Sequence, residues 1–225
     1  MNALNIRAFA GFLQLFVILA VLIFAPAWTF DYRQAWIFLG VFFGSALAIT
    51  IYLMKNDPML LERRVNAGPG AEQERSQNII QALAALAFGA MFIVSALDHR
   101  FAWSVVPAVA TVLGDILVVL GFYFVFLVFK ENSFASGTIE VEAEQKVIAT
   151  GPYAIVRHPM YIGALVMLTG VPPALGSWWG LLAIVPMTAV LIARLLDEEK
   201  FLVKNLAGYS EYEDKVRYRL IPLVW

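Results

Sequence analysis

The sequence contains no cysteine, and only two of its 225 residues are histidines. The lack of cysteine excludes disulfide bonds, thiolate metal sites and a cysteine nucleophile. No Gly-x-Gly-x-x-Gly segment occurs, so the common dinucleotide-binding fingerprint is missing. Charge is also scarce: charged residues make up 15% of the chain and the net charge is −1. This balance indicates no general affinity for nucleic acid.

Apolar residues are abundant instead, at 61% of the chain with a mean hydropathy of +0.75. Three runs without charge cover residues 8–30, 34–54 and 76–97, and a fourth, 101–129, is interrupted only by Asp115. Each reaches the roughly 20 residues that a membrane-spanning helix needs. The first run is longer than a typical signal-peptide core, so we expect a retained span. Residues 1–129 are therefore predicted to form four transmembrane helices.

A fifth uncharged run, 159–193, is too long to cross a membrane once. It contains Pro172-Pro173, and tandem prolines remove backbone donors and clash with the preceding turn. The pattern predicts a break there and a helical hairpin formed by residues 160–171 and 177–196. The predicted fold class is an all-α integral membrane protein of about six membrane helices.

The basic residues indicate an orientation. All but Arg33 and Arg100 of the 16 lysines and arginines fall in segments that lie on one side of these spans. Because cytoplasmic loops are rich in Lys and Arg, this side is predicted to be cytoplasmic. The polar segment 130–158 and the tail 194–225 then meet at the cytoplasmic face of a multi-pass protein. A bacterial or archaeal plasma membrane is the expected location.

Local signals refine the polar segments. Asp57 is expected to cap a short helix that has Pro58 at its first position. Segment 130–150 is predicted to be a lid or strand-like loop rather than a spanning helix. The amphipathic tail predicts a C-terminal helix, with Gly208 at its C-cap. Asp115 is costly in lipid and is expected to face other helices or a polar cavity.

Residues 151–161 carry an unusual density of polar groups at a membrane boundary. They include Tyr153, Arg157, His158 and Tyr161. Each has an ordinary explanation as a cationic anchor, a structural histidine or an interfacial aromatic residue. Arg194 and Glu198, one helical turn apart, also fit an exposed ion pair. Their convergence at one membrane face favours a binding site.

The order and spacing of these motifs resemble the isoprenylcysteine carboxyl methyltransferases. The wider group includes phospholipid N-methyltransferases and membrane thiol S-methyltransferases. The matching motifs are Gly151-Pro152-Tyr153, Arg157-His158-Pro159-x-Tyr161-x-Gly163, Glu198-Glu199-x-x-Leu202 and Gly208-Tyr209-x-x-Tyr212. The resemblance covers about residues 130–222, and segment 57–64 also looks like bacterial members. It implies a methyltransferase core at 130–225.

The resemblance implies S-adenosylmethionine as the cofactor and a lipophilic methyl acceptor that enters from the bilayer. The residues that it places at the cofactor are Gln145, Lys146, Val147, Ile148, Tyr153, His158, Met160, Tyr161 and Glu198. It places Arg194 at the acceptor, and no metal is expected. Either Arg157 or His158 is suited to bind the donor carboxylate. A carboxylate acceptor needs no base, whereas a thiol or amine needs one, and His158 is the candidate.

Two other classes remain open at this stage. A sterol-reductase-like membrane enzyme would bind NADPH, and its phosphate groups would favour more basic residues in segment 130–150. A membrane scaffold or small transporter would need no donor pocket, and Asp115 would then mark a pathway.

Overall fold

The computed structural model describes residues 3–67, 75–139, 141 and 145–225. Within these ranges the chain is helical and has no strand. The α-helices are α1 (Ala3–Ala27), α2 (Arg33–Asn56), α3 (Pro58–Asn66), α4 (Arg75–Phe101), α5 (Ala108–Glu131), α6 (Pro159–Ala174), α7 (Ile184–Asn205) and α8 (Tyr209–Lys215). Short 3-10 turns at Gly151–Ala154 and Trp179–Ala183 precede α6 and α7. The prediction of an all-α membrane protein is confirmed.

Five helical segments are long and apolar enough to cross a membrane: α1, α2, α4, α5 and the segment Trp179–Asn205 that includes α7. The remaining predicted membrane helix, 160–171, corresponds to α6, which has only 16 residues. It does not end before the tandem prolines, because Pro172 and Pro173 lie in its last turn. The break falls instead at Leu175–Trp178, where Gly176 has a positive φ of 74°. Each proline removes one backbone N–H donor from the helix. The helix ends at Ala174, directly after the second proline.

The two ends of the bundle differ in character. At one end, buried Asp98 accepts hydrogen bonds of 2.6 Å from the hydroxyl groups of Ser104 and Ser177. These bonds tie the loop after α4 to the loop after α6. The opposite end, called the polar end below, holds α3, α8, the described residues of segment 130–158 and the C-terminal segment 216–225. The polar segments therefore meet at one end, as the sequence predicts.

The α5 and α6 helices approach each other closely at glycine residues. Gly114 and Gly121 on α5 face Gly170 and Gly163 on α6, respectively. A Cβ atom on Gly170 would lie 2.5 Å from the carbonyl oxygen of Gly114. Small residues allow such close backbone approach in membranes, where apolar burial alone gives little drive for association. α6 thus rests along α5, rather than mainly against α7, its predicted hairpin partner.

The α3 helix lies beneath the bundle at the polar end. The side chain of Asp57 accepts a 3.0 Å hydrogen bond from the backbone N–H of Leu60, and Pro58 is the first helical residue. This confirms the predicted cap. Leu60 and Leu61 are buried against α1, α2 and the end of α5. The remaining face of α3 turns Arg63 and Arg64 toward segment 133–137.

The chain terminus closes over the start of α6. The backbone N–H groups of Arg157 and His158 donate to the carbonyl oxygens of Tyr218 and Arg219 at 2.9 and 3.0 Å. The prediction for Gly208 was wrong in detail. Gly208 has a left-handed φ of 84° but precedes α8 as its N-cap, whereas α7 ends at Asn205 and has Leu206 as its C-cap.

Asp115 lies on α5 away from these polar segments. Its Oδ1 atom is buried and accepts no hydrogen bond from the described part of the chain.

Candidate active site

A cavity of about 620 Å³ opens at the polar end and reaches between the helices. Its volume is in the range of small-molecule and cofactor pockets. Every residue that the sequence places in the site contributes to its wall: Gln145, Lys146, Val147, Ile148, Tyr153, Arg157, His158, Met160, Tyr161, Arg194 and Glu198. Gln145 and Glu198, which are 53 positions apart in the sequence, are brought together because α6 leads away from the polar end and α7 returns to it.

The polar part of the cavity is organised by phenol groups. The Tyr161 hydroxyl donates to Oε2 of Glu198 at 2.7 Å, and the Tyr212 hydroxyl donates to the Tyr153 carbonyl at 2.8 Å. The amide of Asn132 donates to the Tyr153 hydroxyl at 3.0 Å. Burial raises the pKa of Tyr153 to about 12 and also raises that of Tyr212. Both phenols are therefore neutral near pH 7 and present aromatic surface to the cavity.

Behind this wall lies a buried ionic cluster centred on Glu199. Its Oε1 atom lies 3.0 Å from Nε of Arg157 and 3.2 Å from Nε2 of His158, and its Oε2 accepts from Nε of Arg219 at 2.7 Å. Arg157 also donates to Glu213 at 2.7 Å. Paired in this way, the charges avoid most of the cost of burial. The cluster fixes the start of α6 to α7 and to the chain terminus.

The adjacent carboxylates of Glu198 and Glu199 have different surroundings. Glu198 faces the cavity, whereas Glu199, on the neighbouring helix position, is 5% exposed and committed to Arg157, His158 and Arg219. Consecutive helical positions point about 100° apart, so an acidic pair of this kind necessarily divides between two surroundings. The resemblance placed Glu198 at the cofactor, but the sequence did not indicate the partners of Glu199, because Arg219 and Glu213 reach the cluster only through the fold.

The other part of the cavity is apolar and lies among the membrane helices. It is lined by α2, α4, α5, α6 and α7 through Ala46, Ile49, Leu53, Ala84, Phe122, Val125, Ala164, Met167 and Leu191. These side chains carry no strong hydrogen-bonding group, and the hydroxyl of Thr50 in the same region donates to the Ala46 carbonyl. One continuous cavity thus joins a polar chamber at the bundle end to an apolar channel within it.

Two arginines lie where the polar and apolar parts meet. Arg64 Nη1 donates to the Ser136 carbonyl at 3.2 Å, and Arg194 Nη2 donates to the Gly137 carbonyl at 2.9 Å. Burial and the neighbouring Arg194 lower the pKa of Arg64. Sequence reasoning missed Arg64, along with the cavity residues Tyr209 and Tyr212. The Gly208-Tyr209-x-x-Tyr212 spacing was the available signal for the two tyrosines.

The described residues include no group of three or more His, Asp or Glu side chains arranged to hold a metal ion. The polar chamber offers carboxylate, phenol and imidazole groups, with Glu198 and Tyr161 already linked. These are groups that bind organic cations and hydroxyls.

Comparisons with known proteins agree with this geometry. Residues 109–208, which include α5, α6, α7 and most of the cavity, match the family model described as phospholipid methyltransferase. The chain is also 29% identical over 133 residues to protein-S-isoprenylcysteine O-methyltransferase of Saccharomyces cerevisiae. The resemblance to these membrane methyltransferases is confirmed. This match covers 52% of the chain and 51% of the yeast protein.

A second relative is the Delta(14)-sterol reductase of Mus musculus. The chain is 32% identical to it over 91 residues, which is 39% of the chain and 22% of the mouse protein. The chain therefore spans about a fifth and about half of the lengths of these two curated relatives. The names of the two relatives describe different reactions, a reduction and a methyl transfer.

Proposed function

We propose that the protein is an S-adenosylmethionine-dependent methyltransferase that acts on a lipophilic acceptor, most simply by methylating a carboxylate. The observation that carries the proposal is the two-part cavity. Its polar chamber suits a charged, hydrophilic donor, and its apolar channel suits a lipid tail. A reaction between molecules of such different polarity requires a site at a membrane boundary.

The chamber fits the methyl donor in charge. When bound, S-adenosylmethionine would supply an electrophilic methyl group on a sulfonium cation. The faces of Tyr153 and Tyr212 can stabilise such a cation. Glu198, held by Tyr161, can accept hydrogen bonds from an ammonium or a ribose hydroxyl group. Gln145–Ile148 form one wall and offer backbone groups.

The carboxylate of the donor requires a cationic or donor partner within the chamber. The Arg157 guanidinium is buried and paired with Glu199 and Glu213, so it is held by the protein. His158 stands between the two carboxylates: its Nδ1 is 3.9 Å from Glu198 Oε2 and its Nε2 is 3.2 Å from Glu199 Oε1. We therefore assign Arg157 to positioning His158 and the start of α6, and keep His158 as the group at the donor.

The acceptor is assigned to the apolar channel and Arg194. A guanidinium can orient a carboxylate by two parallel hydrogen bonds. Such an acceptor is ionised near pH 7 and needs no general base. Catalysis then consists of aligning the two reactants and excluding water. For an amine or thiol acceptor, His158 is the nearest candidate for removing the proton.

The polar end is proposed to face the cytoplasm, since it carries nearly all of the lysines and arginines. The donor would enter from that side and the acceptor from the bilayer. Residues 130–225 form the proposed methyltransferase core. Residues 1–129 are proposed to shape the acceptor channel, because α2 and α5 supply much of its wall.

The reductase match supports a second candidate, an enzyme that binds NADPH. The chamber distinguishes the two ligands by charge. NADPH carries several phosphate groups, whereas Glu198 projects a carboxylate into the chamber. The methyltransferase is therefore the better fit.

The test is calorimetric titration of the detergent-purified protein with S-adenosylmethionine and, separately, with NADPH. We expect micromolar binding of S-adenosylmethionine that Glu198→Ala abolishes. The matched control is Glu211→Ala, because Glu211 is exposed on α8 and outside the cavity wall. Binding of NADPH alone would support the reductase. Absence of binding by either ligand to folded protein would reject both.

A further inference from the structure

The C-terminal segment contacts the start of α6 and the second half of α7. The carbonyl oxygens of Tyr218 and Arg219 accept hydrogen bonds from the backbone N–H groups of Arg157 and His158. The Nε atom of Arg219 donates to Oε2 of Glu199 at 2.7 Å. Arg219 lies outside the cavity wall, so it acts on a ligand only through the residues that it holds.

The conformation of this segment sets the position of the Arg219 guanidinium. The backbone N–H groups of Arg219, Leu220 and Ile221 donate to the Trp225 carbonyl at 3.0, 3.1 and 3.1 Å. The guanidinium also lies over the Trp225 ring, with 5.3 Å from Cζ to the ring centroid. A cation is attracted to the face of an indole ring in this geometry. The segment therefore presents Arg219 to Glu199 in a defined orientation.

The contacts of Glu199 determine which nitrogen of His158 carries a proton. An ionised carboxylate can only accept hydrogen bonds. Because Oε1 of Glu199 lies 3.2 Å from Nε2 of His158, Nε2 is the protonated nitrogen. Nδ1 lies 3.9 Å from Oε2 of Glu198, which is beyond hydrogen-bond distance. Since His158 lines the cavity, Nδ1 is the nitrogen left for a ligand.

The charges of this cluster balance without a second proton on His158. The cluster contains two guanidinium groups and two carboxylates, namely Arg157, Arg219, Glu199 and Glu213. A cationic ring would place a third positive charge beside the two guanidinium groups. His158 is also buried, which opposes its charged form. The arrangement therefore favours a neutral ring whose Nδ1 atom accepts a hydrogen bond.

The other titratable groups around the ring face the chamber. Tyr161 lies in the first turn of α6, with 5.7 Å between its ring centroid and that of His158, and its hydroxyl donates to Glu198. Burial raises the pKa of Tyr209 on α8, so this phenol is neutral near pH 7. Glu198 is the charged group on the cavity side of the ring, where the cationic donor is proposed to bind.

From this arrangement we propose that Arg219 and Glu199 are positioning residues that keep His158 neutral, with its proton on Nε2 and its Nδ1 lone pair facing the donor chamber. This inference rests on the proposed function and deepens it. A ring in this state accepts a hydrogen bond from the ammonium of the methyl donor, beside Glu198, and does not donate to its carboxylate. It is also the state that removes a proton from an amine or thiol acceptor.

The protonation state is measured by solid-state NMR of the full-length protein in lipid bilayers. The chain has two histidines, and His99 lies near the end of α4, at the opposite end of the bundle from His158. Labelling with 13C,15N-histidine in a His99→Gln background therefore reports on His158 alone. The two ring nitrogens are distinguished because Nδ1 is bonded to Cγ and Nε2 is not. Near pH 8 we expect a proton on Nε2 and none on Nδ1.

Three variants are compared in the same background. Arg219→Gln leaves the charge of Glu199 partly uncompensated, so Nδ1 should gain a proton, with the protonation equilibrium of the ring shifted about tenfold. Arg219→Lys keeps a cation beside Glu199 and should restore most of the wild-type state. Arg217→Gln is the matched control, because Arg217 is exposed on the same segment. Melting temperatures verify that each variant is folded.

Donor affinity gives a second readout, which a purely structural role would not move. Binding of S-adenosylmethionine is measured by calorimetry at pH 7 and at pH 9 for the wild type, Arg219→Gln and Arg217→Gln. A protonated ring repels the ammonium, so Arg219→Gln should weaken binding at pH 7 by up to about tenfold and by less at pH 9. The ratio of the variant and wild-type dissociation constants cancels the titration of the donor itself.

The proposal is overturned by a proton on Nδ1 in the wild type near pH 8, or by an Arg219→Gln ring that titrates like the wild type. It is also overturned if Arg217→Gln responds as strongly as Arg219→Gln. A ratio of dissociation constants that is the same at both pH values would assign Arg219 to structural support alone. Failure of the methyltransferase proposal is read separately. If folded wild-type protein binds no S-adenosylmethionine, the NMR experiment still decides whether Glu199 and Arg219 set the state of His158.

Discussion

The hydroxyl group of Tyr161 lies 2.7 Å from Oε2 of Glu198 and donates a hydrogen bond to it. This bond joins the first turn of α6 to the second half of α7. It also connects the two proposed ligand sites, because Arg194 lies on the other side of the same hydroxyl. Tyr161 therefore orients the carboxylate that is proposed to bind the donor and borders the site that is proposed for the acceptor.

Replacing Tyr161 by Phe is expected to weaken S-adenosylmethionine binding about tenfold while leaving the fold intact. Removing a hydrogen bond to a charged group costs about 1.5–3 kcal/mol, which is tenfold or more in affinity. The measurement is calorimetry on the purified variant. The control is Tyr123→Phe, since Tyr123 is exposed on the outer face of α5. If Tyr161→Phe bound S-adenosylmethionine as tightly as the wild type, donor binding by Glu198 would not depend on this hydrogen bond.

Substitution of Glu199 is expected to reduce stability, whereas substitution of Glu198 is expected to weaken donor binding. Glu199→Gln removes the charge that compensates Arg157 and Arg219 in a buried cluster, where loss of one partner costs about 3 kcal/mol. The measured melting temperature should fall by several degrees. Glu198→Gln should leave the melting temperature nearly unchanged and weaken donor binding. Exposed Glu211→Gln is the control for both. The opposite assignment would follow if Glu198→Gln were the destabilising variant.

The sequence predicted the all-helical membrane fold because uncharged runs of sufficient length have few alternatives in lipid. It also predicted the wall of the polar chamber, since Tyr153 and Glu198 belong to motifs with characteristic spacing. It could not predict the Glu199 cluster or the place of Arg64. Both features depend on how the C-terminal segment and α3 pack at the polar end. The sequence pattern of these two segments does not indicate which residues they contact.

The boundary between α6 and α7 was misjudged for a similar reason. Pro172 and Pro173 predict a break in the helix. The helix nevertheless includes both prolines, and the first residue outside it is Leu175. A proline excludes hydrogen bonding at its own nitrogen, while the preceding carbonyls can still be satisfied by residues that follow. Here the backbone N–H groups of Leu175 and Ser177 donate to Val171 and Pro172. Such compensation is set by the local geometry of the turn.

Close packing of α5 and α6 leads to a prediction about stability. In Gly170→Ala the new methyl group would meet the Gly114 carbonyl oxygen at 2.5 Å and the Val118 nitrogen at 3.0 Å, both of them backbone atoms. The helices must separate, and overpacking of this kind costs about 1–3 kcal/mol. The melting temperature should decrease. Gly40→Ala is the control, because nothing lies within 4 Å of its Cβ position on α2. A decrease of equal size in the control would attribute the effect to the helices themselves rather than to their contact.

The hydroxyl group of Tyr209 provides a test of whether the cavity binds a ligand. Its hydroxyl is buried and has no hydrogen-bond partner in the described part of the chain, although the residue lines the cavity. Burial raises the pKa of Tyr209, so the hydroxyl is a neutral donor near pH 7. An unsatisfied buried polar group costs about 1–3 kcal/mol unless a ligand or water pairs with it.

Tyr209→Phe is therefore expected to keep or raise the melting temperature and to weaken S-adenosylmethionine binding about tenfold. Tyr212→Phe is the matched comparison, because its hydroxyl already donates to the Tyr153 carbonyl within the protein. That variant should lower the melting temperature as well as the affinity. Raised stability together with reduced affinity in Tyr209→Phe would indicate that the Tyr209 hydroxyl hydrogen-bonds to the donor. If Tyr209→Phe raised stability with no change in affinity, Tyr209 would be a packing residue, and the donor would be bound without it.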